Sequence, residues 1–218
     1  MIVAFDMFGT LADTSSVEAE LTALCGDRAG GVAATWRTRQ LEYMFRVTAM
    51  GQFPSFADLT RWSLASALAE AGLAPTESAL AGLADAYRRL RPFADGPPAL
   101  AALRGRGHEV VVVSVGPRAW LEELAVTYHD QVDRFVSAED AGVYKPHPGL
   151  YRHLLSVTGA EAGHVLLVSG NPFDLIGGSA VGLRTAWCKR SRSARFDPWG
   201  PRPNHVIASL TELPAILR

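Results

Sequence analysis

Short apolar runs without polar alternation punctuate the chain. Ile2-Val3-Ala4-Phe5 is rich in β-forming residues and meets an acid at Asp6. Val110-Val111-Val112-Val113 runs into Ser114, and Val165-Leu166-Leu167-Val168 runs into Ser169. A run that is apolar at every position suits a strand buried on both faces of a parallel sheet. Weaker runs at Phe135-Val136, Thr185-Ala186-Trp187 and His205-Val206-Ile207 predict three more strands. Helical patterns lie between the later ones. Pro97-Pro98 opens a helix that carries Leu100 and Leu103 and is closed by Gly107. Pro148 opens another with Tyr151, Leu154 and Leu155, stopped by Gly159. Proline near the start and glycine past the end is the expected asymmetry. This alternation predicts a right-handed parallel α/β sheet.

Residues from about 14 to 93 read differently and contain no strand pattern. Ser15-Ser16-Val17-Glu18 has the spacing of a capping box ahead of Leu21 and Leu24. Trp36, Leu41, Met44 and Phe45 mark a second helix. Ser55 is placed to cap a third with Leu59 and Trp62, and Thr76 a fourth with Leu80, Leu83, Tyr87 and Leu90 on one stripe. A helical insert of roughly 80 residues therefore interrupts an α/β core just after its first strand. In open parallel sheets ligands sit outside the carboxyl ends of the strands. Asp6, Ser114 and Ser169 end three predicted strands, so they are expected on one rim, with the insert as a lid.

An aspartate at the end of a buried strand is costly unless it is hydrogen-bonded or used. Gly9 permits a tight turn after it, whose N–H groups would face an anion, and Thr10 is spaced to bond the Asp6 carboxylate. On spacing alone, Asp6 either caps this turn or does chemistry.

Lys plus Arg number 21 and Asp plus Glu 22, a formal net charge of −1, which argues against nucleic acid or an anionic membrane as partner. No apolar run approaches the ~20 residues of a spanning helix. Met1-Ile2-Val3-Ala4-Phe5-Asp6 lacks the basic segment of a secretory signal. Cys25 and Cys188 read as reduced small hydrophobes, and a cytoplasmic location is the expectation. His108, His129, His147, His153, His164 and His205 show no zinc-ligand spacing, so they read as structural or exposed. The one basic run, Lys189-Arg190-Ser191-Arg192-Ser193-Ala194-Arg195, reads as a solvated loop.

Four segments in order resemble the motifs of the haloacid dehalogenase superfamily of hydrolases. Asp6-Met7-Phe8-Gly9-Thr10 resembles the first motif, Ser114 the second, and Lys145 in Val143-Tyr144-Lys145-Pro146 the third. Ser169-Gly170-Asn171-Pro172-Phe173-Asp174 resembles the fourth. The resemblance covers essentially the whole chain. It implies a Rossmannoid core of residues 1–13 and 94–218 and a helical cap of residues 14–93. Phosphatases of the superfamily carry a second Asp two residues after the nucleophile to protonate the leaving alcohol, and here that residue is Phe8. A halide leaves without a proton. The acid that helps hold Mg²⁺ in motif four matches Gly170, with only Asp174 kept, so no metal or other cofactor is expected. Trp36-Arg37-Thr38-Arg39-Gln40-Leu41-Glu42-Tyr43, and Tyr151 six residues after Lys145, are similar to the L-2-haloacid dehalogenase branch.

The resemblance to that branch implies hydrolytic, metal-independent dehalogenation of small 2-haloacids to 2-hydroxyacids. Asp6, aimed by Thr10 and Lys145, would attack the halogen-bearing carbon. Arg37 would receive the departing halide, with Arg39 as its rival. Asp174, with Ser169 and Asn171, would position and deprotonate the water that opens the aspartyl ester. Ser114, Val115 and the turn at Met7 would hold the substrate carboxylate. Phe8, Leu41, Phe56 and Phe173 would wall its alkyl group, and Tyr151 completes the binding set. The family commonly has Asn where this chain has Val115 and Ser where it has Gly170. Those departures leave three alternatives: a phosphatase of the same superfamily, a hydrolase opening azetidine-2-carboxylate by the same attack, and an inactive binding protein with this fold. The family usually forms homodimers, for which the Trp36 to Met50 helix and Trp62 would supply a face.

Overall fold

The computed structural model describes residues 1–128 and 131–217, so His129 lies outside the described residues. The chain divides into two compact units, Met1–Ala12 with Pro92–Arg218, and Asp13–Arg91. The first is built on a six-stranded sheet of β1 (Ile2–Phe5), β2 (Glu109–Ser114), β3 (Arg134–Ser137), β4 (Val165–Ser169), β5 (Arg184–Cys188) and β6 (His205–Ile207). All neighbours run parallel, in the order β3-β2-β1-β4-β5-β6. Each of the six apolar runs therefore forms a strand. Those of β1, β2 and β4 are buried throughout, as strands covered on both faces must be.

Register sets up the site. Phe5 stands opposite Val112 on one side and Val168 on the other. Asp6 extends the ladder through its N–H to the Val168 carbonyl at 3.0 Å. It thus leaves the carboxyl end of the central strand, where the strand order reverses, which is the place such sheets bind ligands. The helix Pro148–Thr158 begins on proline and ends on Gly159 at φ 65°. Gly96–Arg104 stops before Gly107, which takes φ 79° in the turn that follows.

The second unit holds the helices Glu18–Cys25, Ala29–Ala49, Phe56–Glu70 and Glu77–Ala84. Ser55 accepts from Asp58 N–H at 3.1 Å and Thr76 from Ala79 N–H at 3.3 Å, the caps the sequence predicts. Ser15 does not cap the first helix. Asp13 accepts from the Ser15 N–H at 2.9 Å and starts a 3-10 turn over Thr14–Val17, so Glu18 becomes the helix's first residue. An ionised carboxylate outcompetes a hydroxyl as acceptor. The fourth stripe is also broken: the helix stops at Ala84 and a 3-10 turn, Asp85–Arg89, carries Tyr87 inward. Trp36 anchors the interior, with Nε1 donating to the Thr60 carbonyl at 2.9 Å and its ring 4.8 Å from that of Tyr87. Leu24, Phe45 and Trp62 are exposed instead of joining it. Among the described residues no helix is long and apolar enough to cross a membrane.

Candidate active site

The turn after β1 returns on itself because one carbonyl gathers it. Met7 C=O accepts from the N–H groups of Thr10, Leu11 and Ala12 at 3.2, 3.0 and 2.9 Å. Gly9 sits at φ 83°, a conformation that side chains with a Cβ resist. The turn brings Thr10 Oγ1 to 2.7 Å from Asp6 Oδ2. Gly170 N–H donates to the same hydroxyl at 2.8 Å, so the threonine proton is directed at the carboxylate. Asn171 Nδ2 reaches Asp6 Oδ2 at 2.8 Å and the Phe8 carbonyl at 3.0 Å, and Ser169 Oγ lies 3.4 Å from the same oxygen. Lys145 Nζ donates to Asp6 Oδ1 at 2.9 Å. Every one of these donors to the Asp6 carboxylate is a side chain, so the residue does not serve as a turn cap.

Lys145 is 1% exposed and also bonds Asp174 Oδ2 at 2.7 Å. Burial pulls its ammonium pKa down, but the carboxylates of Asp174 and Asp6 outweigh that and raise it above the ordinary lysine value. Burial raises the Asp174 carboxyl, and the nearby Asp6 charge adds to this, so it titrates above the usual carboxylate range despite Lys145. Tyr151 donates to Asp174 Oδ1 at 2.8 Å and to the Asp174 carbonyl at 3.0 Å. Burial, then the Asp174 charge, pushes the phenol well above its normal value, so it stays a neutral donor. Gly177 makes room for it, since a Cβ there would stand 2.7 Å from the phenol oxygen. Asp174 lies in the first turn of Pro172–Ser179, yet its side chain serves Lys145 and Tyr151.

The other predicted residues divide between the units. Ser169 and Asn171 gather on Asp6, not beside Asp174. Ser114 is buried and accepts from Gly116 N–H at 3.5 Å. Val115, Met7 and Phe8 are buried, and Phe173 is half-buried. A Cβ on Gly170 would come within 2.4 Å of the Gly9 carbonyl, so the β1 and β4 loops approach too closely for a serine there. In the helical unit, Arg37 donates to Gln40 Oε1 at 2.8 Å, and Gln40 is anchored on Thr60 Oγ1 at 2.9 Å. Burial raises the Tyr87 phenol and the Arg37 charge offsets part of that shift. Phe56 is buried and Leu41 half-buried. Arg39 is tied at the surface to Glu70 and Glu42, both at 2.7 Å.

The basic run conceals one residue that its composition does not distinguish. Arg192 and Arg195 are exposed, as a solvated loop requires. Arg190 instead turns inward, bonds Asp95 Oδ2 at 2.7 Å and the Thr10 carbonyl, and lies over the Phe93 ring at 4.0 Å. Of the histidines, His147 caps Pro148–Thr158 by accepting from Gly149 N–H at 3.0 Å. Among the described residues no group of three or more His, Cys, Asp or Glu is placed to hold a metal ion.

A family model described as haloacid dehalogenase-like hydrolase matches residues 1–182. The chain belongs to that family. Among the dehalogenase-like hydrolases it is 30% identical to an (S)-2-haloacid dehalogenase of Pseudomonas fluorescens, over 96% of this chain and 92% of that protein. It is 32% identical to the (S)-2-haloacid dehalogenase of Xanthobacter autotrophicus, over 99% of this chain and 94% of that protein. The solved L-2-haloacid dehalogenase from Xanthobacter autotrophicus with chloropropionic acid covalently bound is similar with a TM-score of 0.94 and 32% identity, covering 100% of this chain and 99% of that one. The parallel-sheet core of this family member is thus the family's α/β fold.

Proposed function

We propose that this hydrolase converts small 2-haloacids to 2-hydroxyacids and halide through an ester on Asp6. The observation that carries the reading is the state of one carboxylate: buried, charge-balanced by Lys145, and held by side-chain donors at the end of the central strand. Oδ2 takes bonds from Thr10 and Asn171, whereas Oδ1 takes Lys145. Oδ1 therefore keeps the more available lone pair and is the attacking atom. It forms the C–O bond as the C–X bond breaks, and the electron pair leaves with the halide. Arg37 is the group assigned to the departing halide; its guanidinium is steadied by neutral Gln40, while Arg39 is tied to two carboxylates. Water then adds to the Asp6 carboxyl carbon, and the hydroxyacid departs with the original Asp6 oxygen. Asp174, with its raised pKa, takes the water proton and returns it to the departing alkoxide oxygen of the hydroxyacid. Phe8, where a phosphatase needs a second acid, fits a leaving group that needs no proton. The balanced charge and reduced cysteines suit a cytoplasmic enzyme, and the exposed Phe45, Met50 and Trp62 suit a homodimer face.

Halide release from each enantiomer of 2-chloropropionate, with Asp6→Asn alongside, tests the reading. Release that Asp6→Asn abolishes is expected, and a single turnover in ¹⁸O water labels Asp6 and leaves the first hydroxyacid unlabelled. No halide from either enantiomer, together with Mg²⁺-dependent cleavage of a chromogenic phosphate ester, would overturn it.

A further inference from the structure

We infer that Arg190 is a positioning residue for the nucleophile: paired with Asp95, it clamps the Thr10 main chain and so keeps the Thr10 hydroxyl on Asp6. As a role in catalysis this rests on the reading of Asp6 as nucleophile. Arg190 enters from the loop after β5, far from Asp6 along the chain. Its guanidinium divides its donors between two acceptors, Asp95 Oδ2 at 2.7 Å and the Thr10 carbonyl. The Phe93 ring closes one face of the guanidinium at 4.0 Å, and its side chain is only 19% exposed. Asp95 is itself fixed: Leu210 N–H donates to the same Oδ2 at 2.9 Å and Ser209 Oγ at 3.1 Å. Burial alone would raise the Asp95 carboxyl, but Arg190, Leu210 and Ser209 outweigh it and hold the group below its usual range, ionised.

The next carbonyl in the turn is held as well. Leu11 C=O accepts from the Tyr128 hydroxyl and from Phe93 N–H, both at 2.8 Å. Two consecutive carbonyls of the nucleophile's turn are therefore gripped from outside it, while the Thr10 hydroxyl bridges Asp6 and the Gly170 N–H. Within the turn itself the Met7 carbonyl, the Gly9–Ala12 bond and the Thr10 hydroxyl on Asp6 resist opening. The planar guanidinium reaches the Asp95 carboxylate and the Thr10 carbonyl from a fixed fork stacked over the Phe93 ring, a geometry that the compact ammonium of a lysine at this position does not reproduce. Arg190→Lys keeps the charge and loses one of the two bonds.

The test compares Arg190→Lys with the wild type and with Arg192→Lys, an exposed residue of the same loop. The first readout is hydrogen–deuterium exchange of residues 7–12, which is measured whether or not a haloacid is turned over. Exchange in this segment is expected to accelerate in Arg190→Lys alone. The second is 2-chloropropionate turnover: kcat is expected to fall about tenfold with KM within about twofold, below the roughly hundredfold that a 1 Å misplacement can cost. The third is a double-mutant cycle. In a Thr10→Val background Arg190→Lys is expected to change kcat little further, because both act through one hydroxyl. Unchanged exchange in 7–12 overturns the inference. So does a kcat effect that adds fully to that of Thr10→Val, which is what a merely structural ion pair would give. Wild-type enzyme that releases no halide while exchange still accelerates would overturn the haloacid reading and leave the clamp standing.

Discussion

Replacing Lys145 by Met tests the charge logic of the site without reference to substrate. The wild-type ammonium is 1% exposed and touches two carboxylates, at 2.9 Å and 2.7 Å, that are themselves 3% and 0% exposed. Methionine fills much of the same volume, so packing is nearly conserved while the counter-charge vanishes. Removing one partner of a buried ion pair costs about 3–5 kcal/mol, and for a chain of this size each kcal/mol shifts Tm by about 2–4 °C. The expected drop is therefore about 6–20 °C at pH 7.5. Its pH dependence is the sharper signature. Without Lys145, like charges and burial both push one carboxyl of the Asp6–Asp174 pair up, so the folded variant binds a proton that the unfolded chain at that pH does not. A folded pKa above the unfolded one means stability present at low pH and lost as pH rises through the folded value. The gap in Tm between variant and wild type should thus narrow as pH is lowered from 7.5 to 5. Thermal unfolding followed by circular dichroism reads it directly. A gap under about 2 °C, or one independent of pH, would mean that Lys145 is not the counter-ion of these carboxylates.

Other substitutions separate the remaining parts. Tyr151→Phe removes the donor to Asp174 Oδ1 and costs about 1–3 kcal/mol for the buried acceptor left unsatisfied. Burst kinetics should show ester hydrolysis slowed more than halide release. Gly170→Ser forces a Cβ to within 2.4 Å of the Gly9 carbonyl, so lower Tm and lower kcat are expected together, and restored activity would refute the close-approach argument. Arg37→Ala should abolish measurable halide release while Arg39→Ala, whose ion pairs are solvent-exposed, leaves turnover within about twofold. The reverse order in a halide assay would exchange their roles.

The strands were legible because burial on both faces writes itself as an unbroken apolar run, as in Val110–Val113 and Val165–Val168. Caps were legible where no carboxylate preceded the capping hydroxyl by two residues, at Ser55 and Thr76. They failed where two competed. Asp13 and Ser15 both satisfy the local pattern, and only the relative strength of carboxylate and hydroxyl decides between them. The Leu80 to Leu90 stripe failed for a related reason. Apolar spacing reports which residues turn inward, but it does not distinguish a helix that continues from one that tightens to 3-10 after Ala84.

For the site, the same distinction explains what was and was not visible. Asp6 and Thr10 announce themselves because a carboxylate at the end of a buried strand needs a partner, whereas Lys145 and Asn171 are legible through the motifs they resemble. Gly170 and Arg190 announce nothing. A glycine gives no sign that another loop's carbonyl lies where its side chain would be, and an arginine among arginines gives no sign that it turns inward to a half-buried acid. Both meet the nucleophile's turn: Gly170 through its N–H on the Thr10 hydroxyl, Arg190 through the Thr10 carbonyl. The residues that aim the carboxylate and those that aim its aimer thus differ in how they can be found. The first carry a chemical signature in the chain, whereas the second are defined only by the approach of segments distant in sequence. Substitutions in the second group should therefore lower turnover without altering which substrate is accepted.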